Sequence, residues 1–264
     1  TRAAPGGWAW TDLPGGVPDA DDTPGALLAL ARLGPADAHV DAAEAGVRWL
    51  LGLQNADGGI PTFCRGWTGL PFDRSSADLP AHTLLAWAAW RDRMTPEMRS
   101  TTDAAARRAV AYLRRTQRPD GAWAPLWFGN QHAAEVANLT YGTSRVLRLA
   151  AVRPWPDADS GWAAALARAV GWLAANQNPD GGWGGRAGTP STGEAAALAV
   201  GGLAVFARAA GATAGVPEAV SRGVGWLAEH TAGGTRFPAS PIGFYFANLW
   251  YFERLYPVVF TVQA

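Results

Sequence analysis

Cysteine occurs once, at Cys64, so no internal disulfide forms, and histidine occurs at only four scattered positions, 39, 82, 132 and 230. These do not make a spaced metal cluster, and neither a structural zinc nor a cofactor is expected. Charge of either sign is not in excess, with 22 basic and 22 acidic residues. Without a basic run the electrostatic footprint of a nucleic-acid binder is missing, and no nucleic-acid partner is expected. No apolar stretch reaches the roughly twenty uncharged residues of a transmembrane helix, and no signal peptide is recognisable. No charged or low-complexity linker divides the 264 residues, so the chain reads as one domain, 1–264, with a substantial core. Methionine is scarce at 2 residues, whereas tryptophan reaches 14, far more than packing alone asks for. Aromatic rings are therefore used repeatedly.

Four segments share one register: Val47-Arg48-Trp49-Leu50 with Gln54, Val110-Ala111-Tyr112-Leu113 with Gln117, Val170-Gly171-Trp172-Leu173 with Gln177, and Val224-Gly225-Trp226-Leu227 with Thr231. A Gly turn follows each: Asp57-Gly58-Gly59-Ile60, Asp120-Gly121-Ala122-Trp123, Asp180-Gly181-Gly182-Trp183 and the worn Ala232-Gly233-Gly234. Gly6-Gly7-Trp8 looks like the tail of a further copy, whose helix is expected before Thr1. Between turns the pattern predicts an apolar inner helix (22–33, 78–91, 134–152, 192–210, 241–255) and a half-polar outer one (41–54, 100–117, 160–177, 217–230). Alternating inner and outer helices predict an all-α fold, an α/α barrel or toroid, with little sheet. The Gln and Asp-Gly residues of these turns have a structural reading: Asp-Gly makes the turn and Gln satisfies orphan backbone groups at a helix end.

The stretch Asp19-Ala20-Asp21-Asp22-Thr23 places three carboxylates before an apolar helix opened by Pro24. Acids are favoured at helix N-termini as caps and by the helix dipole. Three so close also resist ionising together, so one is expected to stay protonated as a buried acid.

The run Gln177-Asn178-Pro179-Asp180-Gly181-Gly182-Trp183-Gly184, with its relatives at 54 and 117, resembles the QW motifs of triterpene cyclases, and Asp19-x-Asp21-Asp22-Thr23 resembles the acid motif of squalene–hopene cyclases. Trp8-Ala9-Trp10 precedes the acids at the family's spacing, Asp78-Leu79-Pro80-Ala81-His82 is similar to its Asp-x-x-x-His segment, and Tyr141-Gly142-Thr143 to its Tyr-Gly-Thr. Thr189 to Gly193 resembles the opening of its next inner helix, and Phe244 to Pro257 its aromatic C-terminal helix. Matches in family order are far more specific than any one of them.

The resemblance implies protonation of a terminal alkene of a linear polyprene, most simply squalene, and a carbocation cascade to a hopene-type pentacyclic product. It implies Asp21 as the proton donor assisted by Asp19 and Asp22, His82 as the partner that holds and resets the acid, and Tyr141 joined through an ordered water. Trp10, Phe63 and Trp127, with Phe244, Tyr245, Tyr251 and Phe252, would line a cavity that stabilises cations by cation–π attraction. Phe63 stands where the family often has Tyr. The acid motif lacks the Cys of the oxidosqualene branch, so epoxide opening is not the expected trigger.

By the same resemblance this is the catalytic C-terminal domain, lacking the N-terminal part of the full enzyme and expected to be inactive alone. The full enzyme is bacterial-type and peripheral or monotopic on the cytoplasmic side of a membrane, with the membrane-dipping segment in the other half; a homodimer is allowed. Each residue also has an ordinary reading, Asp78 as an N-cap, His82 as a structural residue, Trp127 as core. A non-catalytic polyprene-binding fragment is a second reading. A toroid glycosidase using Glu135 and Glu194 is a third, but no motif supports it. A protein prenyltransferase subunit would need a zinc site that Cys64 and the histidines do not supply.

Overall fold

The computed structural model describes residues 5–67, 71–152, 160–211, 213–244 and 249–264. They form two compact units, one of residues 1–116 with 152–162 and one of residues 117–151 with 163–264.

The first unit holds α1 (Asp22–Leu30), α2 (Val40–Leu53), α3 (Asp78–Trp90) and α4 (Pro96–Thr116), and a two-stranded antiparallel pair, β1 (Ile60–Pro61) and β2 (Ser75–Ser76). Burial follows the pattern of apolar positions. α3, apolar nearly all round, buries Leu79, Ala81, Leu84, Trp87 and Trp90, while α2 buries only the face carrying Ala43, Val47, Leu50 and Leu53. The inner helix α1 is only half covered, with Thr23, Pro24 and Leu27 buried. It is pinned instead by hydrogen bonds: Thr23 Oγ1 accepts from the Trp8 amide at 2.9 Å and the Trp90 indole donates to Leu27 O at 2.8 Å.

In the second unit α5 (Leu139–Leu147) and α7 (Gly193–Ala210) are the buried helices, with α8 (Val216–His230) half polar. α6 (Ser160–Ala175) begins in the first unit and continues in the second. α7 is long and apolar enough to cross a membrane, but Ala196, Ala199, Val200 and Leu203 on it are buried within the protein.

Two expected helices differ. The inner helix expected over 134–152 starts only at Leu139, because the chain before it forms a bridge, Gly129 with Ala137, and Val136 takes a positive φ of 56°. Asn138 is then the N-cap, its Oδ1 accepting from the Tyr141 amide at 2.9 Å. The helix expected over 241–255 is a hairpin, β3 (Pro241–Phe244) paired with β4 (Leu249–Phe252), and only then a helix, α9 (Leu255–Gln263). A run of aromatic residues favours a strand as much as a buried helix.

The repeated turns act as staples. Gln54 Nε2 donates to Gly58 O in its own turn and to Ala105 O in α4, both at 2.9 Å, while its Oε1 accepts from Arg108. Gln117 does the same with Gly121, Ala165 and Arg168, and Gln177 with Gly181, Ala219 and Arg222. Gly6, Gly58, Gly121 and Gly181, the first glycines of four of the turns, have a positive φ, and a Cβ on them would meet the backbone oxygen of Ala45, Arg108, Arg168 and Arg222 at 2.6, 2.4, 2.8 and 3.1 Å. Only glycine satisfies both demands. The arginines stand nine residues before the next repeat's Gln or Thr, so a repeat-by-repeat alignment already carries them. Trp183 is fully buried and donates its indole N–H to Leu173 O at 2.8 Å.

Candidate active site

The acid stretch is a turn before it is a site. The Asp19 amide donates to Trp8 O at 3.1 Å, and Asp19 Oδ1 accepts the amides of Asp21 at 2.8 Å and Asp22 at 2.6 Å. Asp19 therefore does the capping that the sequence offers to all three acids. Asp21, the residue just before α1, makes no capping bond of its own. Its carboxyl turns to α3, where its Oδ1 lies 2.8 Å from His82 Nδ1, with 24% of the Asp21 side chain and 13% of the His82 side chain exposed. Asp78, one helix turn before His82, is buried in the first turn of α3 rather than at its N-cap, and accepts a hydrogen bond from Ser76 Oγ.

Burial pushes the Asp19 carboxyl up to about 8, helped by its hydrogen bond to the Asp22 carboxyl and by that group's charge, against the two amides that favour the ionised form. Asp22 is raised too, first by burial and then by the negative charge of Asp21, with His82 and the hydrogen bond from Asp19 acting the other way. The upward shift of both carboxyls is in the direction expected of crowded acids, and burial is its first cause; with Asp19 Oδ1 taken by two amides, a proton held by Asp19 would sit on Oδ2, toward Asp22. Asp21 faces the imidazole.

Aromatic rings adjoin this turn. Asp19 bridges to Phe63 as an antiparallel pair, and the Ala20 amide donates to Thr62 O at 3.1 Å, so the strand carrying Phe63 runs directly beside the acids. Phe63 meets Trp10 edge-on at 6.3 Å, Phe72 edge-on at 4.7 Å and Trp67 at 5.7 Å. Trp10 is 58% exposed and Phe72 is buried, and Phe63, which meets the other three rings, is the hub of the group. The sequence reading named Trp10 and Phe63 but missed Trp67 and Phe72. Their signal was position, in the loop that runs from β1 back to β2 just before α3. Asp73 closes that loop by accepting the amides of Gly66 and Trp67 at 3.2 Å.

The second unit has its own aromatic group. Tyr141 stacks on Phe128 with ring centroids 3.9 Å apart and planes 8° apart, and these two pack with Leu198 of α7 and Ile242 of β3. Trp127, Tyr251, Tyr256 and Phe260 lie against them. Trp127 and Tyr251 thus lie in one group with Tyr141, which the resemblance had joined to the acid instead, while Phe128 and Tyr256 were missed. Phe252 alternates to the opposite face of β4 from Tyr251 and is 65% exposed, outside this group. The Phe244 backbone pairs with Leu249, and Tyr245 lies outside the described residues.

Glu135 and Glu194, the pair a glycosidase would use, are both engaged structurally. Glu135 is largely exposed beside Arg118 at 3.6 Å, and Glu194 accepts two hydrogen bonds from Ser240.

Two solved structures share this helical architecture. An ent-copalyl diphosphate synthase from Streptomyces platensis superposes with a TM-score of 0.66 at 24% identity, over 97% of this chain and 42% of that one. A type II terpene cyclase from Scytonema superposes with a TM-score of 0.61 at 22% identity, over 84% of this chain and 57% of that one. At such identity the likeness establishes the fold, an α/α toroid of paired helices, as the repeats predicted. In sequence, the model of the squalene-hopene cyclase C-terminal domain matches residues 1–262, and the chain belongs to that family. Among relatives, a drimenyl diphosphate synthase from Streptomyces showdoensis is 36% identical over 83% of this chain and 36% of its own length. A squalene–hopene cyclase from Zymomonas mobilis is 30% identical over 86% of this chain and 35% of its own length. The chain spans about a third of the length of these two relatives.

Proposed function

We propose that this domain carries the acid of a cyclase that protonates a linear polyprene, most simply squalene, and guides the resulting carbocation to a polycyclic, hopene-type product. The observation that carries the reading is the 2.8 Å pair of Asp21 and His82, set beside a buried, protonated Asp19 and a group of aromatic rings. A proton on His82 Nδ1 donates to Asp21 Oδ1, draws electron density from the carboxyl and makes the proton on Oδ2 easier to lose. That proton goes to the terminal alkene carbon: the π electrons form the new C–H bond, a tertiary cation remains, and the Asp21 carboxylate is held by the imidazolium. Asp19 and Asp22 share a proton and so place less than two full negative charges next to Asp21, which keeps its carboxylate from being too strong a base. Phe63 and Trp10 offer π faces to the first cation. The domain alone is proposed to be inactive, because an incompletely walled cavity admits water that quenches cations early.

A second reading keeps the chemistry and changes the substrate to a linear prenyl diphosphate. The 36% identity to a drimenyl diphosphate synthase favours it. A third, binding without turnover, is separated by the same test. The full-length polypeptide is incubated in parallel with squalene and with linear prenyl diphosphates, and extracts are analysed by gas chromatography with mass spectrometry. Cyclised hydrocarbon supports the first reading and cyclised diphosphate the second; substrate bound but unchanged refutes both.

A further inference from the structure

Glu194 is a buried carboxylate that the proposed chemistry does not use. It lies in the first turn of α7, only 6% exposed, and spends both oxygens on one residue: Oε1 accepts the Ser240 amide and Oε2 the Ser240 hydroxyl, each at 2.8 Å. Ser240 directly precedes β3, so this double bond fixes the point where the hairpin leaves the helical frame. One turn along α7, Leu198 belongs to the same buried group as Ile242 of β3, Phe128 and Tyr141, and Tyr251 of β4 lies against that group. Backbone pairing runs Ile242 to Tyr251, so a shift at Ser240 moves both residues together. Burying a carboxylate is costly without strong donors, and its place at a helix N-terminus with two donors on the hairpin offsets that cost. An apolar residue there would pack as well but would leave the hairpin to drift along α7.

We infer that Glu194 is a positioning residue: by gripping Ser240 it sets the hairpin that holds Ile242 and Tyr251 against Tyr141, and so sets how far a polyprene is folded before the cation is lost. The catalytic half of this inference rests on the function proposed above; the structural half does not.

The test uses the full-length polypeptide with Glu194→Ala, Glu194→Gln and Ser240→Ala. Glutamine keeps the grip, since its Oε1 accepts the Ser240 amide and its Nε2 donates to Ser240 Oγ. Hydrogen exchange over residues 241–252 is expected to quicken by at least about tenfold in Glu194→Ala, the loss of roughly one buried hydrogen bond's worth of protection, less in Ser240→Ala, and little in Glu194→Gln. With squalene or the accepted prenyl diphosphate, assayed well below each variant's melting temperature, Glu194→Ala is expected to raise the share of incompletely cyclised product, with Gln restoring the wild-type ratio. Unchanged exchange in both Glu194→Ala and Ser240→Ala overturns the grip. Quickened exchange with an unchanged product ratio overturns the positioning role and leaves Glu194 a stabilising residue. Should the wild type cyclise nothing, it is the proposed function that falls, and the exchange result still decides the grip. If Glu194→Ala does not fold, Ser240→Ala with Glu194→Gln carries both comparisons.

Discussion

Among the described residues four aspartates make the same turn, and one of the four sits in the acid site. Asp57, Asp120 and Asp180 each accept, through Oδ1, the amide two residues on, at 2.9, 3.1 and 2.9 Å. Asp19 does the same with the Asp21 amide at 2.8 Å. The difference is water. The three repeat aspartates are exposed, while Asp19 is 4% exposed and has a second carboxyl against it. One local geometry serves as a hinge of the frame where it is hydrated, and as a proton store where burial and a like charge raise the carboxyl. Sequence spacing fixes the turn; only the fold assigns the proton.

The comparison breaks most sharply at Asp21. Asp21→Asn in the full-length polypeptide is expected to cut turnover by about 100-fold to 10,000-fold, the range for loss of a general acid, with an unchanged melt; product analysis at near wild-type rate would return the stretch to a helix cap. Asp180→Asn, which keeps the Oδ1 acceptor, should leave turnover alone. Next comes the frame. Trp183→Ala removes a fully buried indole and should cost about 3–5 kcal/mol, read by denaturant unfolding, without changing product pattern. Gln177→Ala strands the carbonyls of Gly181 and Ala219 and should cost about 1–3 kcal/mol. An unchanged midpoint would show that the staples are ornament.

The subtlest test is pH. The Asp19 carboxyl is raised from 3.8 to about 8 in the folded state, so the folded protein holds that proton more tightly than the unfolded one. Its contribution to stability is full below pH 3.8 and is lost as pH rises through about 8. Asp19→Asn, a mimic of the protonated form, should flatten the fall in melting temperature across that window, while Asp180→Asn should not. Equal slopes in wild type and Asp19→Asn would place the proton elsewhere.

Most of the helical frame is legible in the sequence because it repeats. Trp49, Tyr112, Trp172 and Trp226 mark the same turn of the outer helices α2, α4, α6 and α8, and the Gly turns mark their ends. The hairpin was not legible, since Ile242, Phe244, Trp250, Tyr251 and Phe252 are apolar in succession and lack the alternation that separates a strand from a buried helix. Gly243, at a φ of 147° with Leu249 O only 2.0 Å from where its Cβ would be, was the one local hint of close strand pairing. In the site, Asp21 and His82 are 61 residues apart, and nothing local joins them; resemblance alone put them in one site. Glu194 was seen as a carboxylate, but its partner lies 46 residues away, just before the hairpin that the sequence pattern read as helix.

The staples have a consequence for how such domains change over generations. Gln54, Gln117 and Gln177 reach partners 51, 48 and 42 residues ahead, yet end in the same bonds. The frame thus counts contacts, not residues. A loop or inner helix between two staples can lengthen or shorten by several positions while both of its anchors stay in register, so the segments that carry Phe63, Trp127 or Thr189 are free to be rewritten for a new cavity. Innovation in the lining is uncoupled from risk to the scaffold.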